Sequence, residues 1–228
     1  MRALLDRAVP GSTSEKRWFF LLFLLAAALR FAGYGRIDLQ HDEISALVRI
    51  FPSAWETLRV GVMERDTHPP GVQLFEWAWT GLFGMAPWVV KLPFTLMGLA
   101  SIWLLYRVAL RLAGAQVALV TTVFLATLQY TVMYHQLARP YAAGAFTIAL
   151  LADQLLAYRE SPTRCRLLGI GIAALASAYI HHFSLLTAGL MMGSALLWSA
   201  PDQRRSLLGV SAICALLYLP NIPIFLHQ

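Results

Sequence analysis

Four short polar clusters stand out in an otherwise apolar chain: Asp42-Glu43, Asp66-Thr67-His68, the stretch His135 to Tyr141 with its Arg139-Pro140-Tyr141, and His181-His182. The acid pair offers a general base, a metal ligand, or both. A carboxyl group near a low-dielectric boundary has its proton affinity raised, which suits removal of a proton from a hydroxyl. The same two acids also suit the first turn of a helix, whose partial positive charge favours them. His68 precedes Pro69-Pro70, and two prolines hold the backbone extended and the imidazole in place. That placement suits phosphate contact, proton transfer or metal ligation, although proline is equally at home in a first helical turn. Arg139 has the planar fork that grips a phosphate through two hydrogen bonds; with Tyr141 it also suits an anchor at headgroup level. His181 and His182 either line a cavity or cap a turn. Asp42, Glu43, Asp66 and His68 form the candidate set for a divalent cation, but their spacing is diagnostic of no metal. No cofactor is assigned from the sequence beyond that candidate divalent cation.

The rest of the chain supplies the scaffold. Of its 228 residues 58% are hydrophobic and only 13% charged, about half the charge of an ordinary soluble domain. Apolar runs recur at roughly the 18–22 residues that a helix needs to span a bilayer. The expected fold is therefore all-α and polytopic, not one soluble core. The net charge of +6 is read as basic residues in cytoplasmic loops, not as a nucleic-acid signal. Cys165 and Cys214 fall in a loop and inside a span, so no disulfide is expected. No cleavable signal peptide is evident.

Charge then sets the map. Arg2, Arg7, Lys16 and Arg17 place the N-terminus in the cytoplasm, ahead of a span at 18–34 in which Arg30 snorkels or faces a polar cavity. In the following loop, 35–87, the stretch 36–71 holds six of the twelve acidic residues: Asp38, Asp42, Glu43, Glu56, Glu64 and Asp66. Within it, 44–62 has an apolar stripe at helical spacing and reads as a membrane-surface helix broken near Pro52. The stretch 71–86 is short for a span and contains Glu76. If it does not cross, Arg107, Arg111, Arg159, Arg164, Arg166, Arg204 and Arg205 all fall on the cytoplasmic side, so it reads as a second surface helix. Spans follow at 88–106, 116–134, 142–158, 167–180, 183–200 and 207–225, seven in all, with Gln228 outside. Asp153 lies close enough to Arg159 to be structural. All four polar clusters then share the extracytoplasmic face, and a polar loop kept among membrane segments points to a site there.

The ordered set Asp42-Glu43, His68-Pro69-Pro70, Lys91-Leu92-Pro93, Ala138-Arg139-Pro140-Tyr141, with Tyr179-Ile180-His181-His182-Phe183, resembles the GT-C fold glycosyltransferases that use lipid-phosphate sugars. Within that fold it is most similar to the bacterial branch akin to protein O-mannosyltransferases and lipid A aminoarabinose transferases. The resemblance runs over nearly the whole chain. It implies an N-terminal module of seven spans with two surface helices in the first outer loop, in the cell (inner) membrane. It implies a polyprenyl-phosphate sugar donor and a lipid, glycan or protein acceptor. By the same resemblance Asp42 is the candidate catalytic base with Glu43 beside it, His68 is a first-loop site residue, and Arg139 contacts the donor phosphate or shapes the pocket. Tyr141, His181 and His182 join the pocket. Family members are longer, so 1–228 is expected to lack their C-terminal part. The alternatives are a polyprenyl-lipid transporter and a non-catalytic membrane subunit.

Overall fold

The computed structural model describes residues 12–227; Arg2 and Arg7, which set the expected orientation, and Gln228 lie outside the described residues. Among the described residues every regular element is helical, and none is a strand. The helices are α1 (Thr13–Phe31), α2 (His41–Leu47), α3 (Pro70–Phe83), α4 (Pro87–Thr127), α5 (Gln129–His135), α6 (Pro140–Glu160), α7 (Arg164–Ile180), α8 (His182–Trp198), α9 (Pro201–Tyr218) and α10 (Ile222–His227). A helical turn at Ala54–Glu56 runs into a π-helical stretch, Thr57–Met63, between α2 and α3.

Four stretches are long and apolar enough to cross a membrane: Thr13–Arg36, Pro87–Thr127, Pro140–Glu160 and Pro201–His227. The second covers two of the seven expected spans. It is bent at Gly114, whose φ of 82° is open to glycine and strained for other residues. α7 and α8, at 17 residues each, fall short of that length. Large apolar side chains such as Trp18, Leu190 and Leu197 point outward from the bundle, the reverse of a soluble protein and the pattern lipid contact requires. Both cysteines are free.

The first loop departs from expectation in its boundaries. Its first helix starts at His41, ahead of the expected 44, so Asp42 and Glu43 occupy its first turn. The chain leaves that helix after Leu47 and turns past Pro52 before Ala54. α3 opens on Pro70 and ends at Phe83. At 14 residues it is about 21 Å long, too short for a hydrocarbon core of about 30 Å.

Two cores matter for the site. One joins Leu151, Leu155 and Tyr158 of α6 to Ile170 of α7, Met192 of α8 and Leu207 of α9. The other lies under the loop, where Val72 of α3, Val90 and Phe94 of α4, and Ala142 and Ala143 of α6 pack together. Pro93 sits inside α4 and has no N–H for the carbonyl of Val89; the Trp79 indole N–H donates to that oxygen instead, at 2.8 Å. This bond ties α3 onto α4. At the opposite end Asp153 pairs with Arg107 (3.0 Å) and Arg111 (2.6 Å). Asp153 was read as structural from its nearness to Arg159; it is paired, but with these two arginines, and Arg159 lies over the Trp198 ring.

Candidate active site

Glu43 is the knot that fixes the loop. Its side chain is fully buried, and Oε2 meets Lys91 Nζ at 2.7 Å and accepts from the Gln40 N–H at 2.8 Å. Oε1 accepts from the Ala138 N–H at 2.7 Å. A buried ion pair is tolerable only when its remaining hydrogen-bonding capacity is met, and these backbone donors meet it. Glu43 therefore joins α2, α4 and the chain entering α6, and both of its oxygens are committed to that task. Asp42 beside it is exposed. Its charge acts on Tyr134, which lies edge-on to Tyr141 at 4.8 Å.

Tyr134, Tyr141 and His181 line a cavity of about 580 Å³ between α4, α5, α6 and α8. Leu105, Leu125 and Phe183 supply apolar wall. His181 is reached from the loop side by His68, with ring centroids 5.3 Å apart. The approach depends on Gly71: a Cβ there would fall 2.4 Å from the carbonyl oxygen of Tyr179, so the first turn of α3 rests directly on the end of α7. Burial holds the His181 imidazole below its ordinary range, and the charges of His68, His182 and Arg139 add to that.

Asp66 anchors His68. Its Oδ1 lies 2.9 Å from His68 Nδ1 and accepts the N–H groups of Thr67 and His68, while Oδ2 pairs with Arg49 at 3.3 Å. Burial alone would raise the Asp66 carboxyl; the His68 hydrogen bond and the Arg49 charge outweigh it, and the group is held low. Arg139 is buried at the start of α6, and its Nε makes no hydrogen bond to a described residue.

The candidates thus divide. Tyr141 and His181 line the cavity, His68 reaches His181, and the charges of Asp42 and Arg139 act on Tyr134 and His181 of its lining. Glu43 and Asp66 lie inside as tethers. His182 is turned away, against the Phe225 ring at 5.1 Å. Among the described residues no three His, Cys, Asp or Glu side chains come together as a metal site, so Asp42, Glu43, Asp66 and His68 do not converge on one point.

Two participants carried no role in the sequence reading. Lys91 belonged to a motif, and its charge at the start of an apolar helix was the signal for a buried partner. Glu76, on the buried face of α3, is 1% exposed, and neither carboxyl oxygen has a hydrogen-bond partner among the described residues. Burial pushes it up to about 8; the Arg139 charge opposes this, and those of Glu43 and Asp66 reinforce it. At neutral pH it is largely the uncharged acid. Glu43 is balanced by Lys91 and Asp66 by Arg49, and among the described residues Arg139 forms no ion pair. Such a charge, buried next along the chain to Pro140 and Tyr141 of the cavity wall, favours an anion.

A search of curated proteins and one of solved structures each found no match to this chain. Residues 67–224 match the profile of the dolichyl-phosphate-mannose-protein mannosyltransferases; His68, Arg139, Tyr141 and His181 fall within the matched stretch, and Asp42 and Glu43 precede it. Members of that family are membrane glycosyltransferases of the GT-C type, and this chain, matched over more than half its length, belongs to the dolichyl-phosphate-mannose-protein mannosyltransferase family.

Proposed function

We propose that the chain moves a sugar from a polyprenyl-phosphate donor to an acceptor hydroxyl at the extracytoplasmic face of the cell membrane, which it crosses seven times. The observation that carries this reading is a cavity whose wall joins Tyr141 and His181 to the apolar Leu105, Leu125 and Phe183, with the charges of Asp42 and Arg139 acting on its lining residues. An amphiphilic donor suits such a space. The acceptor oxygen attacks the anomeric carbon while Asp42 takes its proton. The bond from that carbon to the phosphate oxygen breaks, and the electron pair leaves with polyprenyl phosphate. Attack opposite the leaving group inverts the anomeric centre. Phosphate is already a good leaving group, so the principal contributions are positioning and the positive charge of Arg139.

The test is transfer of radiolabelled sugar from a panel of polyprenyl-phosphate sugars, in membranes carrying the chain or its Asp42→Asn variant. Loss of the base lowers turnover by about 10²–10⁴-fold while donor binding persists. Transfer by the variant at the parent rate overturns the assignment of Asp42, and a transporter or scaffold would tolerate the change.

A further inference from the structure

Arg30 was expected to snorkel or face a cavity; instead it is fully buried on α1. Its Nη1 donates to the carbonyls of Ala26 (3.0 Å) and Ala126 (3.2 Å), and its Nη2 to that of Leu125 (2.8 Å). Leu125 and Ala126 end α4 just before Leu128 turns the chain extended. Their carbonyls lack helical partners there, and a guanidinium suits such a terminus both by charge and by donor count. Its Nε–H donates to His135 Nδ1, 2.9 Å away.

A guanidinium only donates. The nitrogen that faces it must therefore accept, and so it carries no proton. His135 is held as the neutral imidazole with its hydrogen on Nε2. Burial and the Arg30 charge together push its protonation down to about 3. The ring is fixed as well as the proton. It lies against the backbone of Gly98, where a Cβ would stand 2.3 Å from its Cγ and 2.6 Å from its Nδ1. Nε2 makes no hydrogen bond to a described residue, and His135 lines the cavity.

We propose that His135 is a ligand-binding residue of the cavity, a fixed Nε2–H donor to a phosphate oxygen of a lipid phosphate, with Arg30 as the positioning residue that fixes it. The arrangement inverts the familiar carboxylate–histidine pair. A carboxylate behind an imidazole makes it a better base, whereas a guanidinium behind it withdraws electron density and makes it a stronger donor that never becomes a cation. Such a donor favours an anionic oxygen over a neutral one. Its surroundings, Leu105, Leu125 and Phe183, suit the hydrocarbon that follows the phosphate. The inference rests on the donor reading above and adds a residue that the family resemblance did not name.

The test uses the purified full chain in detergent, with polyprenyl monophosphate, phosphatidylglycerol and polyprenol as probes. His135→Phe removes the donor, and His135→Gln retains an N–H at a similar reach. Polyprenyl monophosphate affinity falls about tenfold in His135→Phe, the loss of one hydrogen bond to a charged oxygen. It stays within about threefold of the parent in His135→Gln, and polyprenol affinity changes less in both. Parent affinity follows only the second ionisation of the phosphate probe, at about pH 6. In Arg30→Met, Nδ1 is free to take a proton, and the ratio of variant to parent affinity acquires a pH dependence near the ordinary histidine value of about 6.5; a ratio constant from pH 5.5 to pH 8 overturns the role of Arg30. Unchanged affinity in His135→Phe, or equal losses in Phe and Gln variants that melt like the parent, overturns the proposal. Equal dependence on His135 for phosphatidylglycerol overturns the choice of a polyprenyl lipid. Binding that depends on His135 without sugar transfer in any membrane would refute the enzymatic reading and leave the lipid-phosphate site standing.

Discussion

Glu76 makes the stability of this protein fall as pH rises, and Glu76→Gln should remove that slope. The folded carboxyl is pushed up to about 8 from the ordinary 4.5. Below about 4.5 the acid is protonated in folded and unfolded chains alike. Above it the unfolded chain ionises first, and the folded chain must keep the proton or bear a buried charge. Stability therefore declines between about 4.5 and about 8 and levels off beyond. Each unit of displacement is worth about 1.4 kcal/mol, so the fall between pH 6 and pH 8 is about 2 kcal/mol. For a chain of this size that is a drop of about 4–8 °C in melting temperature. The assay is thermal unfolding of the purified protein in detergent at pH 6, 7 and 8, for parent and Glu76→Gln. His181, held low by burial, contributes the opposite slope below its ordinary range, so the quantity to read is the difference between the two proteins. Glutamine keeps the shape and cannot ionise; the difference should grow in its favour as pH rises. Parallel curves would refute the claim that Glu76 is protonated in the folded protein.

The tether at Glu43 gives a second set of outcomes. Glu43→Gln and Lys91→Met each leave a buried charge alone and should cost about 3–5 kcal/mol; the double variant should recover much of that loss, read as melting temperature in a double-mutant cycle. If the two single losses simply add, the 2.7 Å pair does not hold the loop. Gly71→Ala places a methyl 2.4 Å from a backbone oxygen that has no side-chain freedom to yield. It should cost about 1–3 kcal/mol and part His68 from His181, whereas Gly81→Ala on the same helix, with open space around it, should not lower the melting temperature.

What the sequence made legible is what depends on neighbours along the chain. Pro70 begins α3 and Asp42 lies in the first turn of α2 because capping and backbone preference act within a few residues. The apolar runs placed the helices because period and length are local quantities. The contacts that build the site are of another kind. Glu43 reaches Lys91 48 residues away, and Arg30 reaches His135 105 residues away. Hydrophobic period gives a helix its face but not its neighbour, so Asp153 was read as structural only from its nearness to Arg159, whereas its partners lie 42 and 46 residues before it. One rule would have carried the reading further. An ion within an apolar segment is too costly to bury alone, so Arg30, Lys91, Glu76 and Asp153 each demanded a partner or a proton before any fold was known. Lys91 and Asp153 found opposite charges, and Arg30 found carbonyls at a helix break. Of these four Glu76 kept its proton, and under the proposed function that leaves the charge of Arg139 for the phosphate of the donor.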